Sequence, residues 1–224
     1  MTTISLVYYS GAGHTAKMAE AVAQGARAVA DVKVNLHRIQ GSEIVEGRFQ
    51  NDALLAQLDA SDAILLGSPT YMGGPAAQFK AFADATAERW FQRKWVNKVA
   101  AGFTVSGGPS GDKLNTLEYF FILAMQHGMV WVGLNELPYN DKGLNRLSSY
   151  SGAMGQAGQE PPDEAPNAAD KSTGESLGRR VAEAAVRWKR GAVWVRLSSR
   201  RAFRCRATCW LRRRPRTAPS WDPT

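Results

Sequence analysis

Ile4-Ser5-Leu6-Val7-Tyr8-Tyr9 is an apolar, β-rich run, and Ser10-Gly11-Ala12-Gly13-His14-Thr15 breaks it abruptly. From Thr15 to Ala30 the residues Met18, Ala19, Val22, Ala23, Ala26 and Val29 recur at steps of three and four, the spacing of a helix with one buried stripe. Strand, glycine-rich turn, helix is thus the opening unit, and the chain repeats it. Val32–His37 alternates as a second strand, and a weak helix over 52–58 follows. Ala63–Gly67 and Val99–Val105 are apolar strands, each followed by a helix, over 76–87 and 113–127. Met129–Leu134 reads as a fifth strand and Gly174–Lys189 as a last helix. Strands apolar throughout, alternating with helices, predict an α/β fold: a five-stranded parallel sheet with helices on both faces. Right-handed crossovers put every strand's C-terminal end on one edge, where such sheets bind ligands.

Composition narrows the function classes. With 224 residues and 44% hydrophobic residues, the chain can bury a real core. No apolar run is long enough for a membrane span, and the first residues read as a strand, not a signal peptide. The two cysteines, Cys205 and Cys209, both lie late in the chain. A disulfide framework is excluded, and a cytoplasmic location is expected. The net charge of +8 is misleading, because residues 187–224 hold twelve of the 28 Lys and Arg and one of the 20 acids. The rest of the chain is mildly acidic. The expected division is a domain over 1–190 and a basic, disordered tail over 191–224. Phosphate attraction and stacking are open to an Arg- and Trp-bearing tail, yet a dispensable tail is the simpler reading. Neither a nucleic-acid nor a membrane partner is expected.

Three loops fall at the ligand edge. In Ser10–Thr15, glycines let backbone N–H groups approach an anion at the positive end of a helix. The ribose-binding carboxylate of a dinucleotide site is missing after the second strand, where Val34-Asn35-Leu36-His37-Arg38 stands. No Gly-Lys-Ser/Thr follows, so this is not a P-loop. A mononucleotide phosphate fits better. Gly67-Ser68-Pro69-Thr70-Tyr71-Met72-Gly73-Gly74-Pro75 is a stiff loop with backbone donors, the Thr70 hydroxyl, and Tyr71 and Met72 to cover a ring. Ser106-Gly107-Gly108-Pro109-Ser110-Gly111 is the third. Residues 148–172 read as a long surface loop. His37 and His127 lack partners at metal-ligand spacing, and no Gly-x-Ser-x-Gly elbow is present.

Tyr8–Thr15 resembles the phosphate loop of the flavodoxin superfamily. Gly67–Gly73 with Phe79-Lys80-Ala81-Phe82, then Phe103–Gly108 and Gln126-His127-Gly128-Met129, resembles the WrbA-type NAD(P)H:quinone oxidoreductases. The resemblance covers residues 3–190. It implies a flavodoxin-like sheet and FMN as cofactor, with Ser10, Gly11, Ala12, Gly13, His14 and Thr15 at the phosphate. Pro69, Thr70, Tyr71, Met72 and Gly73 would contact the isoalloxazine, and Ser106, Gly107 and Gly108 would complete the pocket. It implies two-electron transfer from NADH or NADPH to a quinone, in a homo-oligomer (dimer or tetramer), with the flavin and not a side chain carrying the chemistry. Trp90 resembles a tryptophan that reaches toward a neighbouring subunit's flavin; a core position is the other reading. Pro109-Ser110-Gly111 replaces a His-Gly-Gly stretch of the family, which removes a catalytic imidazole there. An electron carrier of the flavodoxin type is the rival reading.

Overall fold

The computed structural model describes the backbone of residues 1–205 and the side chains of residues 1–191. β1 (Thr2–Tyr8) leads into α1 (His14–Arg27) and β2 (Val32–Arg38). A small hairpin, β3 (Ile44–Val45) and β4 (Arg48–Phe49), precedes α2 (Asp52–Asp59). β5 (Ala63–Tyr71) turns into β6 (Gly74–Pro75), and α3 (Ala77–Ala85) and the short α4 (Ala87–Phe91) follow. β7 (Val99–Ser106), α5 (Lys113–Gln126), β8 (Val130–Trp131), β9 (Ala153–Gln156) and α6 (Ala168–Cys205) complete the order.

The sheet runs β2-β1-β5-β7-β8, with every neighbour along it parallel. The register Tyr8↔Gly67 and Pro69↔Val105 brings the strand ends to one edge. The chain leaves β1 toward β2 on one side and returns to β5 on the other. The loops after β1 and β5 therefore diverge at a topological switch point, the place where ligands enter such sheets.

Both faces are covered, as the apolar strands require. Ile4, Leu6, Leu65 and Phe103 pack with Met18 and Val22 of α1 and Leu177 and Val181 of α6. Val7, Ile64 and Leu66 point the other way, onto Leu55, Phe79 and Phe120 of α2, α3 and α5. On the first face, α1 and α6 touch backbone to backbone. A Cβ on Gly25 would strike the Glu175 carbonyl, and one on Gly178 the Val22 carbonyl.

Two expectations change. The fifth strand is not Met129–Leu134 but two pieces: Val130–Trp131 pairs with the start of β7, and Ala153–Gln156 with its end. The expected loop over 148–172 therefore contains a strand and the start of a helix. Its strand is Ala-Met-Gly-Gln, without β-branched residues, because the space is tight: a Cβ on Gly155 would lie 2.7 Å from Met18 Cε. The last helix, α6, runs from Ala168 to Cys205, across the expected boundary at 190. Met1–Arg187 forms one compact unit, and Trp188 begins a second. Residues 206–224 of the expected tail, Cys209 among them, lie outside the described residues. Among the described residues no helix is long and apolar enough to cross a membrane.

Candidate functional site

The loop after β1 is held from beneath. Tyr9 N–H donates to the Gly67 carbonyl at 3.0 Å, and the Arg38 guanidinium, from the end of β2, donates to the Ser10 carbonyl at 2.6 Å. Gly13 then turns with φ 99°, a left-handed conformation that strains any residue with a Cβ, and α1 begins. The first N–H groups of a helix have no intrahelical partner. Here the Ser10 hydroxyl accepts from Ala16 N–H at 3.1 Å, and the Gly13 carbonyl from Lys17 N–H at 3.2 Å. The N–H groups of His14 and Thr15, two residues that line the cleft, are left for an anion. With no acid in the first turn, nothing opposes the helix's positive end.

The stretch after β5 is less a loop than expected. β5 runs on through Thr70 and Tyr71, and Met72-Gly73 form a two-residue turn back into β6. Both turn residues have positive φ, 48° and 80°, the signature of a tight hairpin turn. Met72 is a costly residue there, and its side chain is fully exposed. Thr70 lines the cleft, and its hydroxyl has partners within the protein. It lies buried, 2.8 Å from the hydroxyls of both Thr104 and Thr116. A threonine inside a sheet satisfies its hydroxyl in the core before it can serve a surface site. The Tyr71 ring leans toward the first loop, so that a Cβ on Gly11 would lie 2.6 Å from its hydroxyl. Partial burial, with Tyr9 nearby, pushes the Tyr71 phenol up and keeps it protonated.

The loop after β7 rests on a buried cation. Lys113, first residue of α5, is fully buried. Its ammonium donates to the Ser106 hydroxyl at 2.9 Å and the Gly108 carbonyl at 2.5 Å. Burial lowers its pKa to about 8, Asp170 opposing the shift and Arg146 adding to it. Beside it, Gln156 donates to the Gly107 carbonyl at 3.3 Å, and Arg146 grips the buried Asp170 with two 2.8 Å bonds.

A fourth segment, Ala157–Asp163, joins the other walls. Ala157 N–H donates to the Ser106 carbonyl at 3.0 Å, so the segment continues the β7 ladder. It then reaches the first loop. His14 Nε2 donates to the Glu160 carbonyl at 2.7 Å, Lys17 pairs with Asp163 at 2.9 Å, and Pro162 covers Gly13.

These four segments enclose a cleft of ≈ 270 Å³. Of the expected residues, Gly11, Ala12, His14, Thr15, Pro69, Thr70, Tyr71, Ser106 and Gly107 line it. Ser10 and Gly13 stand behind the first loop, Gly108 behind the third, and Met72 and Gly73 form the turn beyond Tyr71. Val105 and the stretch Ala157-Gly158-Gln159 line it unforeseen. Trp90 is half exposed on α4 beside His127, in a separate hollow, so the core reading of Trp90 fails and Trp95 fills that role. His127 is buried against Trp95 and bonds Thr86 at 2.9 Å; burial, with Arg93 near, lowers its pKa to about 4. Among the described residues no cluster of His, Cys, Asp or Glu is placed to hold a metal ion.

The cleft offers N–H donors at a helix start, space between Tyr71 and the third loop, and no carboxylate in its lining. That suits a phosphorylated planar ring. Residues 9–140, which carry the first three of its loops, match the family NADPH-dependent FMN reductase. The chain belongs to that family. The chain is 38% identical over 187 residues to flavodoxin FldP of Pseudomonas aeruginosa, covering 81% of this chain and 96% of that one. It is 34% identical to NAD(P)H dehydrogenase (quinone) 3 of Rhizobium meliloti, over 85% of this chain and 95% of the other. A WrbA-like flavodoxin of Agrobacterium tumefaciens has a crystal structure that is 42% identical, with a TM-score of 0.65, covering 84% of this chain and 99% of that chain. The chain is thus a flavodoxin-like, WrbA-type flavoprotein.

Proposed function

We propose that this cleft holds FMN and that the protein uses it to pass two electrons from NADH or NADPH to a quinone. The observation that carries the reading is the convergence of four segments on one sheet edge, with backbone donors toward an anion and an open slot beside them. The residues fit the group: a Cβ at Gly11 or Gly13 would strike the Tyr71 hydroxyl or Pro162, so only glycines let this loop close against the other walls with its N–H groups at the cleft. The N–H groups of His14 and Thr15, with the hydroxyls of Ser10 and Thr15, would hold the phosphate. The His14 ring acts indirectly, tying the fourth segment down. Pro69, Tyr71 and the Met72-Gly73 turn would flank the ring, with Thr70 contributing backbone only. Ser106, Gly107 and Gly108 would close the other side, and Ala157–Gln159 would cap it.

Bound FMN supplies hydride acceptance and donation; the chain supplies orientation and electrostatics. Backbone N–H groups and a buried ammonium near the third loop favour negative charge in the cleft. The exposed positions of Tyr71 and Met72 leave one side of the slot open to a nicotinamide and then a quinone. A cysteine-free stretch from 1 to 190 supports a cytoplasmic location. An apolar stripe on α5, Leu114, Phe121, Ile122 and Met125, all exposed, supports a dimer or tetramer.

The test is steady-state kinetics of FMN-loaded protein with menadione or benzoquinone. Oxidation of NADH or NADPH that depends on the quinone is expected; oxidation of neither nucleotide defeats the enzyme reading. The similarity to flavodoxin FldP favours a second reading, an electron carrier. That reading predicts FMN binding without nucleotide oxidation, and electron acceptance from a separate reductase protein.

A further inference from the structure

Lys113 stands where a lysine is least expected. It is fully buried, sits at the N-terminal end of α5, and meets two neutral oxygens. A cation at that end opposes the helix dipole, and burial removes its hydration. The charged groups around it come from three directions: Asp170 of α6, Arg146 of the stretch after β8, and Asp112 just before it in the chain. Asp170 is already held by both Arg146 nitrogens and by Gln156 N–H at 2.9 Å. An unfavourable cation so placed needs a compensating role, and its partners identify one.

We propose that Lys113 is a positioning residue that fixes the Ser106 hydroxyl as a hydrogen-bond donor into the cleft, toward the flavin. The proposal rests on the FMN reading above. An ammonium can only donate, so the Ser106 oxygen must accept from it and the hydroxyl hydrogen must point elsewhere. The internal alternative for that hydrogen is the Gly108 carbonyl, which is 3.4 Å away and already takes the lysine's shorter bond. That internal bond is long and weak, so a stronger acceptor in the cleft that Ser106 lines would draw the hydrogen there, and the adjacent charge strengthens it as a donor. A neutral amine can accept that same hydrogen and turn the hydroxyl inward. With the pKa near 8, cofactor affinity falls as pH rises through that value.

The experiment titrates apoprotein with FMN, following flavin fluorescence, from pH 7 to 9.5, above the phosphate's second ionisation near pH ~6. Wild type, Lys113→Met, Ser106→Ala and the double variant are compared, with a thermal melt of each apoprotein. The expected results are a roughly tenfold weakening of wild-type affinity across the range, and a similar loss at pH 7 in each single variant with no further pH step. The double variant should bind like either single one. If Lys113→Met does not fold, Ser106→Ala decides: it retains Lys113, and its pH step should vanish. An unchanged Kd and pH profile in Lys113→Met, a full pH step in Ser106→Ala, or additive losses in the double variant would each overturn the role. Wild-type protein that does not bind FMN at pH 7 defeats the cofactor reading itself, whereas binding with unresponsive variants defeats the Lys113 role alone.

Discussion

The two ends of the cleft are built by different means. The end at Ser10–Thr15 grips with backbone: a left-handed Gly13, free N–H groups at a helix start, and surface ties such as Lys17–Asp163. The end at Thr70–Tyr71 and Ser106–Gly108 is shaped by buried side chains, Thr104 and Thr116 under one wall and Lys113 under the other. Backbone grips depend on conformation and tolerate changes of neighbouring side chains. Side-chain supports depend on particular atoms and on their protonation.

Substitutions can break this contrast at either end. Gly13→Ala should do most. It forces a Cβ into φ 99° and within 2.6 Å of Pro162 Cγ, and should weaken FMN binding roughly thirtyfold, about 2 kcal/mol, in a fluorescence titration. The same change should alter riboflavin binding far less, since the phosphate is what that loop holds.

The other end should respond to pH. The Lys113 pKa lies near 8 in the folded protein, below the ordinary 10.5 of an unfolded chain. Between those values the unfolded chain binds more protons, so stability should rise with pH, by roughly 2 kcal/mol over the first ~1.5 pH units above 8 in apoprotein urea melts. Below pH 8 the lysine is charged in both states and the slope should end. Lys113→Met should lack the rise; a rise of equal size in that variant would assign it to another group.

Thr116→Val should cost about 1 kcal/mol in urea melts, by leaving the buried Thr70 hydroxyl one partner short. FMN affinity should change by less than about threefold, a smaller loss than at Gly13. The smallest effect is expected from Asp163→Ala. Its pair with Lys17 is solvent-exposed, so no measurable change in stability is expected in urea melts. A large loss of FMN affinity there would mean that surface ties, and not Gly13, set the grip at the first end.

The same contrast decides what could be read from the chain before its coordinates. Gly11, Gly13 and the apolar runs of β1, β5 and β7 are visible because backbone needs leave glycines and uniform hydrophobic stretches behind. Side-chain support leaves no such trace. A lysine opening a helix reads as a solvated charge, so Lys113 passed unnoticed. Thr70 reads as a donor to a ligand, because nothing in the letters places Thr104 and Thr116 around it. The segment Ala157–Gln159 was hidden for a third reason. Its strand, Ala153–Gln156, has no β-branched residue and carries Gly155 where Met18 and Pro166 leave no room for a Cβ, so it resembles a loop in composition. The length of α6 was obscured by arginines and tryptophans that blur helical periodicity beyond residue 190.

The central claim is that one sheet edge holds a phosphorylated flavin by its phosphate and its ring at once. Titration of the apoprotein with FMN and, in parallel, with riboflavin tests it most directly. One FMN per chain should bind with altered flavin fluorescence, and riboflavin should bind at least tenfold more weakly. Equal affinity for the two, or no response to either, would contradict the claim.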